Sequence, residues 1–212
     1  MRYEAVVGRL TTLPAPLPAP AVALMPVLTG PTAQGAAAFP LDRATIRPAA
    51  VLVLLFPDAL GDARIVLTER VARDGHHSGE VSFPGGGAEA GDDDLVATAL
   101  REAAEEVALD AIAAGVRVVG TLERFTIPVS NYEVTPVVAI AERRPALVAS
   151  PAEVARIVEP RMAAFLPDAP MEIVERTIRG WPLRYGAYQV DGLSVWGATA
   201  RILSQLGAVL AR

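Results

Sequence analysis

A mixed α/β domain built on a layered mixed sheet is the fold class that this 212-residue sequence predicts. Three features lead there. Ala50–Phe56 is a continuous Val/Leu run of strand length, which suits a strand buried on both faces. Residues 92–107 carry a helical apolar period behind three consecutive aspartates. The other strand and helix segments do not alternate one for one, as a doubly wound sheet requires.

Length and composition set the frame for these elements. One compact domain, with or without an extension, fits this length, and 52% hydrophobic residues supply a sizeable core. The chain has no cysteine, which excludes disulfides, thiolate zinc sites and a cysteine nucleophile and agrees with a cytoplasmic location. Its 19 basic and 24 acidic side chains give a net charge of −5, without the basic stripe of a domain that tracks nucleic acid. A polyanionic small molecule held by a few arginines and a metal ion remains compatible with that balance. The longest apolar run, Ala49–Phe56, is far short of the roughly 20 residues that span a bilayer. Glu4 and Arg9 interrupt the first apolar stretch, and four prolines follow between Pro14 and Pro20, which disfavours a secretory signal.

In chain order, residues 2–12 suit a short helix or strand. Pro14–Pro40 is rich in Pro, Ala and Gly and reads as extended, partly polyproline-like chain. Residues 1–43 are therefore expected to form an N-terminal extension, and 44–212 the folded domain. After the Ala50–Phe56 strand, Pro57–Asp62 is turn chemistry and Arg64–Thr68 is the return strand. Gly79–Phe83 is a third strand, stopped by a Pro84-Gly85-Gly86-Gly87 turn. Asp92, Asp93 and Asp94 then open a helix that runs to about Val107, since acidic side chains cap free amides and suit the positive end of the dipole. Strands follow at Val116–Phe125 and Val134–Ala141, then a strand and helix within Glu153–Phe165. Ile173–Ile178 and Tyr185–Val190 make a hairpin, and Ser194–Leu210 a C-terminal helix.

The stretch that carries chemistry is Arg101-Glu102-Ala103-Ala104-Glu105-Glu106. At about 100° per residue, Glu102, Glu105 and Glu106 fall on one side of a helix, opposite Val96, Ala99, Leu100, Ala103 and Val107. The three carboxylates are then expected to face outward together while the apolar stripe meets the sheet. Like charges at this spacing weaken a helix by a few tenths of a kcal/mol per pair, so something positive must compensate. Arg101 can pair with Glu105 but cannot neutralise all three. Two readings follow: a solvated acidic face, or a site for Mg²⁺ or Mn²⁺, hard cations that prefer carboxylate oxygens. The preceding glycines favour the second, because they let backbone approach a ligand closely.

A strand, a glycine turn, an acid-capped helix and Arg-Glu-x-x-Glu-Glu in that order resemble the box of the Nudix hydrolase superfamily. In that box a glycine, an acidic residue and R-E-U-x-E-E-x-G-U form a loop–helix–loop for metal and diphosphate. Counting from Gly87 puts Asp93 in the first acidic position; counting from Gly86 puts Asp92 there with one extra residue. Either way an aspartate replaces the usual glutamate. Ala108 replaces the later glycine, which asks the turn there to avoid positive φ. Leu67-Thr68-Glu69-Arg70, His77-Ser78-Gly79, Phe83-Pro84-Gly85-Gly86, Asn131–Val138 and Val195–Ala200 also resemble the coenzyme A pyrophosphatase branch, over roughly residues 50–205. Val71 and Asp74-Gly75 depart from that branch.

The resemblance implies an α/β/α sandwich with a central mixed sheet, and metal-dependent hydrolysis of a pyrophosphate linkage in a nucleoside-diphosphate derivative. Coenzyme A is the first candidate substrate. ADP-ribose, dinucleoside polyphosphates, nucleoside triphosphates and a non-catalytic nucleotide-binding role are the alternatives. It further implies Glu102 and Glu106 as metal ligands, a backbone carbonyl near Gly86 completing the shell, and Glu105 as a ligand or the base that positions water. Arg101 would orient Glu105. Arg70 and Arg73 are candidates for phosphate contacts or for surface ion pairs, and His77 for a substrate contact or a loop brace. The expected partner is a small nucleotide, with neither nucleic acid nor membrane. His76 and His77 do not read as a zinc pair, because neighbours on a strand point to opposite faces. Trp181 and Trp196 read as packing residues.

Overall fold

The computed structural model describes residues 1–29, 45–71, 80–178 and 181–212, with the side chains of Ile178 and Trp181 outside that description. Arg73, Asp74, Gly75, His76, His77 and most of the Pro/Ala/Gly stretch beyond Thr29 lie outside the described residues.

A six-stranded mixed sheet is the frame. Its spine is β2 (Arg47–Pro57), which pairs in parallel with β9 (Tyr132–Ala141), from Arg47↔Tyr132 to Leu55↔Ile140. Antiparallel strands complete it: β3 (Ala63–Ile65) and β6 (Gly85–Gly87) on β2, and β7 (Val116–Thr121) and β8 (Phe125–Ile127) on β9. Leu52, Leu54 and Phe56 of β2 join Val137 and Ala139 of β9 in one buried cluster; Val53 and Leu55 join Val138 and Ile140 in another. That division is the period-2 alternation of strands covered on both faces, as the apolar run predicts.

Helix α2 (Leu95–Val107) covers the first face through Ala99, Ala103 and Val107. Small alanines at the contact let it lie close to the sheet, which matters because its next turn carries the acidic residues. The second face belongs to the cluster that includes Val6 from α1 (Tyr3–Arg9), Leu10 at its C-terminal cap, and Leu203 and Leu206 from α3 (Gly197–Leu210). The result is a helix layer on each side of a mixed sheet. Two smaller sheets flank it. One runs β10 (Val154–Val158), β4 (Leu67–Arg70), β5 (Val81–Ser82); the other joins β1 (Val27–Leu28) and the hairpin β11 (Glu172–Ile178) and β12 (Trp181–Val190) to β13 (Leu193–Val195).

Three readings change. Residues 1–29 are part of the packed body rather than a trailing extension. Val6, Leu10 and Leu24 are fully buried, and such side chains stabilise by about 1.5–3 kcal/mol each, which offsets the cost of ordering the segment. The Tyr3 hydroxyl donates to the Ala141 carbonyl (2.6 Å), and burial pushes its pKa up to about 12. Second, Gly85–Gly87 is not a turn but a strand, antiparallel to β2. Third, Ala108 does take positive φ (52°), as the left-handed cap of α2, with its N–H donating to the Ala103 carbonyl. An L-residue there costs about 1 kcal/mol that glycine does not. Ala108→Gly is therefore expected to stabilise by about 1 kcal/mol and to raise the melting temperature by about 2–4 °C in calorimetry.

Candidate active site

The three aspartates before α2 have three different environments. Asp94 is the N-cap, its Oδ1 accepting from the Ala97 N–H (2.8 Å). Asp93 is exposed. Asp92 turns inward and accepts from the Glu89 N–H (2.9 Å), the Thr98 hydroxyl (2.8 Å) and both Nε and Nη2 of Arg101 (2.9 and 3.1 Å). Those Arg101 bonds hold its carboxyl well below the ordinary carboxylate range, and they push the guanidinium pKa upward in turn. Of the two residues that counting left open for the first acidic position, Asp92 is the one locked to the helix.

Arg101 does more than orient one glutamate. Its Nη1 donates to Glu102 Oε1 and Glu105 Oε2 (3.1 Å each), and its Nη2 to the Gly87 carbonyl (3.1 Å). One side chain thus ties strand β6, the loop at Asp92 and two of the three glutamates together.

The three carboxylates do not share a solvent face. Side-chain exposure is 58% for Glu105, 15% for Glu102 and 4% for Glu106. On the helical wheel Glu105 and Glu106 are about 100° apart with Glu102 between them, so the arc runs from solvent to the sheet edge. Glu106 lies at the inner end, where its Oε2 accepts the Gly85 N–H (3.2 Å) and its Oε1 stands 4.0 Å from Arg70 Nη2. Burial pushes its pKa up to about 7; Arg70 and the Gly85 amide pull it down, while Glu102 and Glu153 push it up. Burial raises Glu102 as well, against Arg101 and with Glu105 and Glu153.

Strand β6 is glycine for two separate reasons. A Cβ on Gly85 would lie 2.6 Å from the Val51 Cα, and one on Gly86 would lie 2.6 Å from the Glu102 Cδ. The first keeps the strand on β2; the second keeps the Glu102 carboxylate against the strand. The ladder also decides which backbone groups face the site. The Leu52 N–H donates to Pro84 O and the Ala88 N–H to Pro48 O, bracketing the Ala50↔Gly86 pair. By antiparallel alternation Gly86 turns its amide and carbonyl toward β2, and Gly85 and Gly87 turn theirs away. A carbonyl ligand expected near Gly86 is thus better placed at Gly85, since Gly87 is engaged by Arg101.

Among the described residues no three His, Cys, Asp or Glu side chains are gathered so as to hold a metal ion by themselves. The donor chemistry still suits a hard cation, because Mg²⁺ keeps several waters and takes only one or two carboxylates from the protein. Glu102 and Glu106, with the Gly85 carbonyl, meet that requirement. The space that Gly86 leaves is filled by a carboxylate rather than an apolar group.

A cavity of about 920 Å³ opens over β6, lined there by Gly85, Gly86, Gly87, Arg70, Glu153 and Tyr132. Arg47 stacks over the Tyr132 ring at 4.1 Å. Glu153 is a residue the sequence did not single out. The Ser150 N–H donates to the Glu106 carbonyl (2.8 Å), so the loop after β9 is bound to the end of α2 and delivers Glu153 beside it. A lone acid at the start of a strand has no local signal. Arg70 lines the cavity; Arg73 and His77 lie outside the described residues. Trp196 stacks on Tyr185 (centroids 4.8 Å apart) and also lines the cavity.

The NUDIX domain family description matches residues 46–171. The chain is 37% identical to Nudix hydrolase 15, mitochondrial, of Arabidopsis thaliana over 174 residues, covering 79% of this chain and 60% of that protein. It is 38% identical to Nudix hydrolase 22, chloroplastic, of the same plant, covering 77% of this chain and 55% of that one. The uncharacterized Nudix hydrolase NudL of Photorhabdus laumondii is 37% identical, with 67% of this chain and 74% of that protein covered. The chain thus spans little more than half the length of the two plant relatives. Among solved structures, the Nudix hydrolase RenU of M. smegmatis aligns with a TM-score of 0.47 at 24% identity, covering 56% of this chain and 73% of that one. With the family description matched over more than half its length, the chain belongs to the NUDIX domain family.

Proposed function

We propose that this chain is a metal-dependent hydrolase of a pyrophosphate linkage in a nucleoside-diphosphate derivative, with coenzyme A as the favoured substrate. The observation that carries the reading is the pair Glu102 and Glu106, two carboxylates held against the glycine strand β6, whose residues line a substrate-sized cavity. Burial raises the pKa of both carboxyls despite Arg101 and Arg70, a penalty that a further cation between them would relieve.

Mg²⁺ or Mn²⁺ bound there would neutralise diphosphate oxygens and lower the pKa of water. Glu102 and Glu106 would hold the ion with the Gly85 carbonyl. Glu105, on the solvent side and bonded to Arg101, and Glu153, on the cavity wall beside Glu106, are carboxylates that would position the attacking water and take its proton. Arg70 supplies a positive charge in the same cavity, where it would contact the diphosphate. Asp92 and Arg101 act indirectly, by fixing Glu102 relative to β6. The likeness to the coenzyme A pyrophosphatase branch favours coenzyme A, cut to 3',5'-ADP and 4'-phosphopantetheine. The reading also fits a chain in which, among the described residues, no helix is long and apolar enough to cross a membrane.

The test is direct. Purified chain with Mg²⁺ or Mn²⁺ is incubated with coenzyme A, ADP-ribose and a dinucleoside polyphosphate, and products are resolved by ion-exchange chromatography. Two phosphate-bearing products from coenzyme A are expected. Cleavage of the other compounds alone would move the substrate assignment, and tight binding with no product would make the chain a nucleotide-binding module.

A further inference from the structure

The cavity has a second wall that the family stretch does not supply. Met25, Pro26, Leu183, Trp196, Arg201 and Ile202 line it, and all six lie outside residues 46–171. Met25 and Pro26 come from the N-terminal segment, which crosses the molecule as a strap. Its position is fixed at several points. The Ala21 N–H donates to Ser204 Oγ (2.7 Å), and Gln205 Nε2 donates to Pro18 O (3.0 Å). Strand β1 pairs with β12 through Val27↔Arg184 and Leu28↔Leu183, and the Thr29 N–H donates to Pro182 O (2.9 Å). Gly186 is what allows this approach, since a Cβ there would lie 2.8 Å from the Ala23 carbonyl oxygen. Leu24, between the two halves of the strap, is fully buried.

The charge on this wall is already spent within the protein. Among the described lining residues the cations are Arg70 and Arg201. Arg70 Nη2 stands 4.0 Å from Glu106 Oε1. Arg201 pairs with Glu123 (3.2 Å), lies over the Phe125 ring at 4.6 Å and directs Nη1 at Met25 Sδ (3.5 Å). What the wall offers a ligand is therefore a thioether, a proline ring, aliphatic side chains and an indole. Such a surface suits an uncharged, apolar-faced chain, and among the described residues it offers a second phosphate or a polyphosphate tail no further counter-charge.

We propose that the strap Ala21–Leu28, with Met25 at its centre, determines specificity by seating the uncharged arm carried on the far phosphate of the substrate. This inference rests on the diphosphate reading of Glu102 and Glu106 and adds to it the part of the substrate that is not nucleotide. It places substrate selection in a segment from outside the family stretch, so relatives with the same box and a different strap would prefer different arms.

The experiment compares coenzyme A with a short-arm analogue, the same adenosine diphosphate bearing a methyl ester in place of pantetheine. Met25→Trp fills the wall and Met25→Ala hollows it; melting temperatures establish that both variants fold. The selectivity ratio, kcat/KM for coenzyme A over that for the short-arm analogue, is expected to fall about tenfold in Met25→Trp and several-fold in Met25→Ala. A ratio within about twofold of the wild-type value in both variants overturns the proposal, and so does an equal loss on the two compounds. If one variant does not fold, the other decides. Should the wild-type chain cleave neither compound, the coenzyme A assignment fails on its own. The same ratio is then read from calorimetric affinities in Mg²⁺: a loss concentrated on coenzyme A supports the wall, and an unchanged ratio sinks it.

Discussion

Glu106→Gln is expected to lower turnover by about three orders of magnitude while making the metal-free chain more stable near pH 8. The first effect follows from the proposed function, in which Glu106 is a charged ligand of a cation that stabilises developing charge. Several kcal/mol of transition-state stabilisation are at stake, and each 1.36 kcal/mol is a factor of ten. The second follows from burial. A carboxyl whose folded-state pKa is raised from 4.5 to about 7 resists ionisation in the folded protein more than in the unfolded chain. The fold is therefore unpenalised below the ordinary pKa and loses stability as pH rises through the interval up to about 7, by on the order of 3 kcal/mol. Glutamine carries no charge and still offers an oxygen to the Gly85 amide. In chelator, melting scans should show the variant above wild type near pH 8 and level with it near pH 4. A difference that ignores pH would mean that Glu106 is not a strained buried acid.

Gly86→Ala is the second large effect. A methyl at that position would lie 2.6 Å from the Glu102 Cδ, so the carboxylate must move off strand β6. Glu102 is the end of a flexible side chain, so the stability cost is modest. Moving a ligand by about 1 Å, in contrast, costs on the order of a hundredfold in kcat. Gly85→Ala should behave the opposite way, because its methyl would meet the Val51 Cα, which cannot step aside. The contrast between a kcat loss at Gly86 and a melting-temperature loss at Gly85 can be read from one enzyme assay and one melting scan per variant.

The parts of this molecule that were legible in the sequence are those where a periodic pattern and the tertiary environment agree. Ala50–Phe56 is apolar at every position because both faces of β2 are covered, one by α2 and the other by the cluster shared with α1 and α3. The helix through Glu106 was legible from its cap and its alanines. What the pattern misjudged was the orientation of the acids: i, i+3, i+4 spacing places three residues in an arc, but the sheet edge decides which end of the arc is buried. The glycines read as a turn because their local preference is for turns, whereas β2 recruits them as a strand through register and close approach. The N-terminal segment was misjudged because its prolines suggested an unpacked chain, and the partners that dock it, Ser204 and Gln205, lie nearly two hundred residues away. Glu153 was missed for the same reason, since only the loop bound to the end of α2 brings it near Glu106. Ala108 adopts a backbone conformation that its residue type disfavours, which propensity cannot foresee.

In the proposed function Glu102 and Glu106 hold a divalent cation at strand β6. Titration of Mn²⁺ into the wild-type chain, Glu102→Gln and Glu106→Gln, followed by calorimetry at neutral pH, tests it without any assumption about substrate. Saturable binding by wild type that weakens by about a hundredfold or more in each variant is the predicted result. Mn²⁺ binding of equal strength in all three proteins would mean that neither carboxylate holds the ion.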